Sequence, residues 1–99
     1  MFIVGIDIGK RNHEATIIDQ KGSIVGKSFS FANSITGFNR LMETVSRITN
    51  NDVVFGMEAT GHYWLALYTH LRKRGFAIHV INAIQSEALR AYVHTSAEK

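Results

Sequence analysis

The sequence predicts a single α/β domain built on a mixed five-stranded sheet. Three strand-like segments with short connections occupy the N-terminal part of the chain, and helix-like and strand-like segments then alternate. The length of 99 residues suits one domain rather than two. A hydrophobic content of 45% is sufficient for a modest core at this length.

The N-terminal part of the chain is predicted to form an antiparallel meander. Residues 2–8 are almost wholly apolar, which indicates a strand that is buried on both faces. A second strand is expected over residues 13–19, and the turn that follows it ends at Gly22. The third strand, over residues 23–31, mixes apolar side chains with Lys and Ser, which favours a position at the edge of the sheet.

The hydrophobic pattern changes to a helical period after the third strand. Apolar side chains recur at helical spacing over residues 34–49, and Ser34 is suited to cap this helix. A fourth, apolar strand over residues 52–57 ends at Glu58. The second helix, capped by Thr60, ends in a run of cations followed by a glycine, which suits a helix C-terminus: Arg72, Lys73, Arg74 and Gly75.

The C-terminal part adds a fifth strand over residues 76–81 and a third helix over residues 83–93, with Asn82 as its cap. We therefore expect one domain over residues 1–93, followed by a polar tail over residues 94–99. Strands joined through helices should run parallel with right-handed crossovers, which makes the first strand central. The order β-β-β-α-β-α-β-α with helices packed on the sheet is that of a ribonuclease H-like fold.

The composition excludes several classes of protein. The chain has no Cys, which rules out a disulfide scaffold and a Cys-based zinc site and suits a reducing compartment. No apolar run approaches the roughly 20 residues that span a bilayer, and the N-terminus lacks the features of a secretory signal. We therefore expect a cytoplasmic protein without membrane contact. The net charge of +3 permits nucleic-acid binding but does not by itself indicate it.

Two carboxylates stand out by position. Asp7 ends the first apolar strand and Glu58 ends the fourth. If these strands are parallel neighbours about 4.8 Å apart, both side chains project from the same edge of the sheet. A pair of carboxylates there would suit Mg²⁺ or Mn²⁺. Spacing alone leaves two structural alternatives open: an Asp that forms a turn, and a Glu that faces a helix N-terminus.

Three segments, taken together, resemble a known family. They are VGIDIGK at residues 4–10, GMEATGHYW at residues 56–64 and VINAIQS at residues 80–86. In this order they resemble the N-terminal, RuvC-like domain of the DEDD transposases, which comprise insertion-sequence recombinases and Piv-type DNA invertases. The resemblance covers nearly the whole chain, and the second segment is its most specific part.

The resemblance implies metal-dependent cleavage and transfer of DNA strands. It makes Asp7 and Glu58 the first two acids of a D-E-D-D set that binds Mg²⁺ or Mn²⁺. It also implies DNA as the partner, a homo-oligomer, a bridge RNA in some full-length members, and a location at the bacterial or archaeal nucleoid.

The chain departs from the family pattern in its C-terminal part. The family's last two acids lie downstream of the fifth strand, whereas no Asp follows Asp52 here and Glu98 is the only acid after Glu87. We therefore expect a catalytic-domain fragment that is truncated before the remaining acids and is inactive alone. Ala83 also stands where relatives usually carry Pro after the Asn.

Four further side chains lie close in sequence to the two acids. Lys10 and Arg11 follow Asp7 and are suited to contact a phosphate, although a solvated turn explains them equally well. His62 and Tyr63 follow Glu58 and are suited to contact nucleic acid at the same edge. A structural His in the first helical turn is the alternative for His62.

The sequence leaves two other functions open. The first is the nucleotide-binding half of an actin- or sugar-kinase-like ATPase, which shares the hairpin start and an Asp-x-Gly turn. Here Lys10 stands where such proteins usually carry a hydroxyl residue. The second is a non-catalytic module for dimerisation or DNA docking, which is consistent with the missing acids.

Overall fold

The structure is a computed structural model that describes residues 1–50, 52–59 and 61–82. The third predicted helix and the polar tail lie outside the described residues. The described elements, in chain order, are β1 (Phe2–Asp7), β2 (Asn12–Ile18), β3 (Phe29–Ala32), α1 (Ile35–Ser46), β4 (Val53–Ala59), α2 (Leu65–Lys73) and β5 (Ala77–Asn82). This order agrees with the prediction for the described part of the chain.

The five strands form one mixed sheet with the order β3-β2-β1-β4-β5. The meander β1-β2-β3 is antiparallel, whereas β1 pairs in parallel with β4, and β4 pairs in parallel with β5. The predicted central position of β1 and edge position of β3 are therefore confirmed. Neither described helix is long and apolar enough to cross a membrane.

The third strand is shorter than predicted. It begins at Phe29 rather than at residue 23. The preceding segment makes only an isolated bridge between Ile18 and Ile24, and it then turns at Gly26, whose φ of 71° lies in the left-handed region. The side chain of Ile24 is 65% exposed and Val25 is only partly buried, so burial holds this segment in the sheet weakly.

The first helix begins as predicted and packs very closely against β3. The Ser34 hydroxyl accepts a hydrogen bond from the Gly37 N–H at 3.2 Å, which confirms the predicted cap. A Cβ atom at Gly37 would overlap with the backbone of Ala32. Only glycine therefore allows α1 to approach the end of β3 this closely.

The second helix begins later than its pattern predicts. It starts at Leu65 with Trp64 at the N-cap, where no side chain caps the helix, and residues 61–64 form turns. The Trp64 indole N–H donates to the Gly61 carbonyl at 3.0 Å, which stabilises these turns. The predicted cap, Thr60, lies outside the described residues.

Both helices pack on the same face of the sheet and form one core with it. The core consists of alternate residues of the strands and the apolar stripes of both helices: Val4, Ile6, Ala15, Ile17, Phe31, Phe38, Leu41, Met42, Val45, Val53, Phe55, Met57, Leu67 and Leu71. The other face of β1 carries Ile3, which is 44% exposed, and Asp7, which is also exposed. The expectation that β1 is buried on both faces is thus wrong for the described structure, because α1 and α2 cover the same face.

Candidate functional site

The central strands β1 and β4 bring the two predicted acids together. Their parallel register pairs Ile6 with Met57, so Asp7 and Glu58 are the next residues of the two strands. Because residues paired in register project to the same side of a sheet, both acids lie on the face opposite the core. Both line one open cleft of about 510 Å³. The cleft follows from the strand order, whereas the metal-binding role of the acids remains a prediction.

A third acid, Glu14, lines the same cleft, and the sequence analysis missed it. The antiparallel register of β1 and β2 places Glu14 directly opposite Asp7. On β2 the neighbouring residues His13 and Ala15 are buried, so Glu14 projects to the opposite face. The alternation of side chains along β2 indicates the face on which Glu14 lies. Its position opposite Asp7 depends on the register of the β1–β2 hairpin, which only the structure provides.

The floor of the cleft lacks side chains next to the acids. Gly5 and Gly56 form a register pair across β1 and β4, two residues before Asp7 and Glu58 on the same face. Both glycines line the cleft. A Cβ atom at Gly56 would meet no atom within 4 Å, and one at Gly5 would be 4.0 Å from the nearest, the Thr16 carbonyl oxygen. A bulky group can therefore approach the acids along this floor.

The donor set is compatible with a divalent cation but is incomplete as a site. Carboxylate oxygens are hard ligands, and Mg²⁺ commonly binds one or two of them together with waters and substrate phosphates. Across residues 1–50, 52–59 and 61–82, no three His, Asp or Glu residues are arranged to hold one metal ion together. The residues present fit a cation that is bound by two protein carboxylates and completed by other ligands.

The four side chains predicted to contact nucleic acid do not line the cleft. Lys10 and Arg11 are exposed in the turn between β1 and β2. His62 is exposed and Tyr63 is half-buried in the turns before α2, where their rings lie 4.5 Å apart. All four follow the strand ends that carry Asp7 and Glu58, but the structure does not bring them into one site with the acids. Their role remains a prediction.

A polar network connects the two chain segments that follow the acids. The Asn33 backbone N–H donates to the Arg11 carbonyl at 2.8 Å, and its side-chain amide donates to the Tyr63 carbonyl at 3.3 Å. His13 accepts a hydrogen bond at Nδ1 from the Gly9 N–H at 3.1 Å. Burial lowers the pKa of His13, and the neighbouring Asn33 side chain offsets this in part.

Comparison with known structures shows the fold. The chain is similar to Thermus thermophilus RuvC in complex with a Holliday junction substrate, with 12% identity, 86% of this chain covered and a TM-score of 0.61. It is similar to the fowlpox virus Holliday junction resolvase, with 14% identity, 83% coverage and a TM-score of 0.53. The chain spans 66% and 61% of these two proteins, respectively. The predicted ribonuclease H-like, RuvC-like fold is thus confirmed.

The same fold also occurs in a protein of another kind. A ROK family protein from Streptococcus pneumoniae, in complex with sucrose, matches with 15% identity, 83% of this chain and 34% of its own chain covered, and a TM-score of 0.55. At such low identity this similarity shows the fold alone. No curated protein matches the chain at a significant level.

The family assignment therefore rests on the sequence pattern as a whole. A family model for DEDD transposases, described as "Transposase", matches residues 4–99. This match covers nearly the entire chain and includes Asp7, Glu58 and the three segments on which the predicted resemblance rests. The chain belongs to the DEDD transposase family.

Proposed function

We propose that this chain is part of the catalytic domain of a DNA transposase or recombinase, in which Asp7 and Glu58 bind Mg²⁺ or Mn²⁺. One observation carries the proposal: the two acids lie at corresponding positions near the C-terminal ends of adjacent parallel strands and line the same cleft. The family to which the chain belongs supports it. The shared fold with Holliday junction resolvases is consistent with it.

The residues of the chain contribute position, charge and access. The strands hold Asp7 and Glu58 on neighbouring backbones, about 4.8 Å apart, so that their carboxylates reach a shared ion. Glu14 adds a third negative charge to the cleft, and Gly5 and Gly56 leave room for a sugar-phosphate backbone beside the acids. A bound divalent ion would stabilise the charge that develops on the attacking and leaving oxygens of a phosphodiester.

The proposal includes a limit on the isolated chain and a set of partners. Because two carboxylates are only part of the D-E-D-D set, the chain alone binds the metal weakly and does not cleave DNA. Its substrate is DNA of the bacterial or archaeal nucleoid, in the cytoplasm. In the longer protein it acts as a homo-oligomer, together with a bridge RNA in those members that use one.

The test is DNA strand cleavage and transfer by the longer protein that carries this domain. We expect Asp7→Asn and Glu58→Gln each to abolish metal-dependent cleavage while the protein remains folded. Asp52→Asn and Glu43→Gln are matched controls, because these exposed acids form ion pairs elsewhere, with the N-terminus and Arg47, respectively. Intact cleavage by both variants at the cleft would refute the proposal.

A further inference from the structure

A buried histidine lies at the same edge of the sheet as Asp7, but on the covered face. His13 is 1% exposed and is the only fully buried polar side chain among residues 1–50, 52–59 and 61–82. Its ring packs edge-on against Phe31, with 5.4 Å between the ring centroids. Because Nδ1 accepts the Gly9 N–H, the neutral ring carries its proton on Nε2. The imidazole is therefore held in one tautomer by the turn that follows Asp7.

The side chain of Asn33 is the neighbour of the imidazole that is suited to accept the Nε2 proton. His13 Nε2 and Asn33 Oδ1 are both buried, and neither makes a hydrogen bond within the described part of the chain. A donor and an acceptor that are both removed from water complement each other, since leaving either one unsatisfied costs roughly 1–3 kcal/mol.

Asn33 also reaches the chain segment that follows Glu58. Its amide donates to the Tyr63 carbonyl at 3.3 Å, and its backbone N–H donates to the Arg11 carbonyl at 2.8 Å. Hydrogen bonds therefore run from the Arg11 carbonyl through Asn33 to the Tyr63 carbonyl, and the bond from Gly9 to the adjacent His13 holds the start of the same turn. These bonds connect the turn after β1 with the turns before α2, although the two segments are far apart in sequence.

We infer that His13 and Asn33 are positioning residues that fix the chain ends beyond Asp7 and Glu58 relative to each other. Each acid lies at or near the end of its strand, where sheet pairing on one side only would allow the end to fray. The pair acts through Gly9 and Tyr63, and it lines no part of the cleft. Its consequence for metal affinity rests on the proposed function, whereas its structural role does not.

The unaltered chain provides the first measurement. We expect long-range ¹⁵N–¹H NMR spectra at neutral pH to show His13 as the neutral Nε2–H tautomer. We also expect the Gly9 amide hydrogen to exchange slowly, because it donates to a buried acceptor. An Nδ1–H tautomer, or a Gly9 amide that exchanges as fast as that of exposed Gly26, would overturn the inference without any variant having to fold.

Two His13 variants separate the polar role from packing. His13→Asn places an amide oxygen near the position of Nδ1, so it should retain slow exchange at Gly9. His13→Phe preserves a ring against Phe31 but removes both polar atoms, so the Gly9 amide should lose its protection. Equal exchange of Gly9 in the two variants would overturn the inference.

The consequence for the acids is tested by titration of the chain with Mn²⁺. Asn33→Leu should weaken Mn²⁺ binding about tenfold, as is typical when a residue that orients metal ligands is lost. The matched control, Phe31→Leu, perturbs the same part of the core without removing a polar contact and should leave the affinity within about twofold. Wild-type affinity in Asn33→Leu would overturn the positioning role.

The two proposals fail in different ways. If the unaltered chain shows no Mn²⁺ binding at Asp7 and Glu58, the proposed function fails. The positioning role is then judged by exchange of the Gly9 amide and of the amides of residues 63–65 in Asn33→Leu. Faster exchange at both sites supports the role, and unchanged exchange at both sites refutes it.

Discussion

The two faces of the sheet differ sharply although they are built from the same strands. On the covered face, Val4 and Phe55 are fully buried against α1 and α2. On the other face, Ile3, next to Val4 in sequence, is 44% exposed. The same face carries the cleft that Asp7 and Glu58 line. Because side chains alternate along a strand, one set of positions stabilises the fold and the other is available for chemistry. Substitutions on the two faces should therefore separate stability from metal binding.

The largest effect on stability is expected from the centre of the covered face. Phe55 is fully buried and makes an edge-on contact with Phe76 at 5.3 Å between ring centroids. Phe55→Ala should lower the free energy of unfolding by about 4 kcal/mol, measured by urea denaturation. Val54→Ala, at the neighbouring position on the other face, is the control and should cost about 1 kcal/mol. Similar losses for both would contradict the assignment of the faces.

Two Gly→Ala substitutions compare the α1–β3 contact with the floor of the cleft by adding a single methyl group at each place. Gly37→Ala should destabilise the protein by about 3 kcal/mol, because the added Cβ would overlap with the backbone of Ala32. Gly56→Ala adds the same group on the cleft floor, where it meets no atom within 4 Å, and should change stability by less than about 1 kcal/mol. Thermal unfolding of the two variants measures the difference. A Gly37→Ala protein as stable as Gly56→Ala would show that α1 is not seated this closely on β3.

The pH dependence of stability should come from two histidines on the covered side of the sheet. Burial lowers the pKa of His13, and burial together with the cations Arg74 and Lys73 lowers the pKa of His70. Below about pH 6.5 the unfolded chain takes up protons at these positions that the folded chain does not, so stability falls as the pH decreases towards the folded-state pKa values. Urea denaturation at two or three pH values between 7.5 and 5 measures this loss of stability. His13→Phe should reduce it, and an unchanged pH dependence would contradict the assignment to His13.

The smallest effect on stability is expected from the acids of the cleft. Asp7 is exposed, and Asp7→Asn preserves its shape while removing its charge, so the free energy of unfolding should change by less than about 0.5 kcal/mol. The same substitution should eliminate metal binding. A large loss of stability would instead indicate that Asp7 is a structural residue of the turn. Denaturation in metal-free buffer, with Asp52→Asn as the control, distinguishes the two outcomes.

Much of the fold could be predicted from the sequence because its signals are local. The period of the apolar residues identified each described helix and strand, and the predicted ribonuclease H-like order placed β1 and β4 side by side. The predicted start of β3 is wrong because the chain turns at Gly26, where the side-chain pattern still resembles that of a strand. The beginning of α2 was missed because residues 61–64 form turns within a helix-like pattern.

The candidate site was predicted only in part, because some of it depends on pairing between distant residues. Asp7 and Glu58 could be predicted because each follows an apolar run near the end of a strand. Glu14 was missed because its position depends on the β1–β2 register, which a sequence does not specify by itself. The contact of Asn33 with Tyr63 was likewise inaccessible, since it joins two loops that no local pattern relates.

The central claim is that Asp7 and Glu58 bind one divalent ion jointly. The most direct measurement is a Mg²⁺ titration of the chain followed by ¹³C NMR of the side-chain carboxylates. We expect the Asp7 and Glu58 signals to shift together with one dissociation constant, and either Asp7→Asn or Glu58→Gln to abolish the response of the remaining acid. No shift at either carboxylate, or independent shifts that survive the loss of the partner acid, would contradict the account.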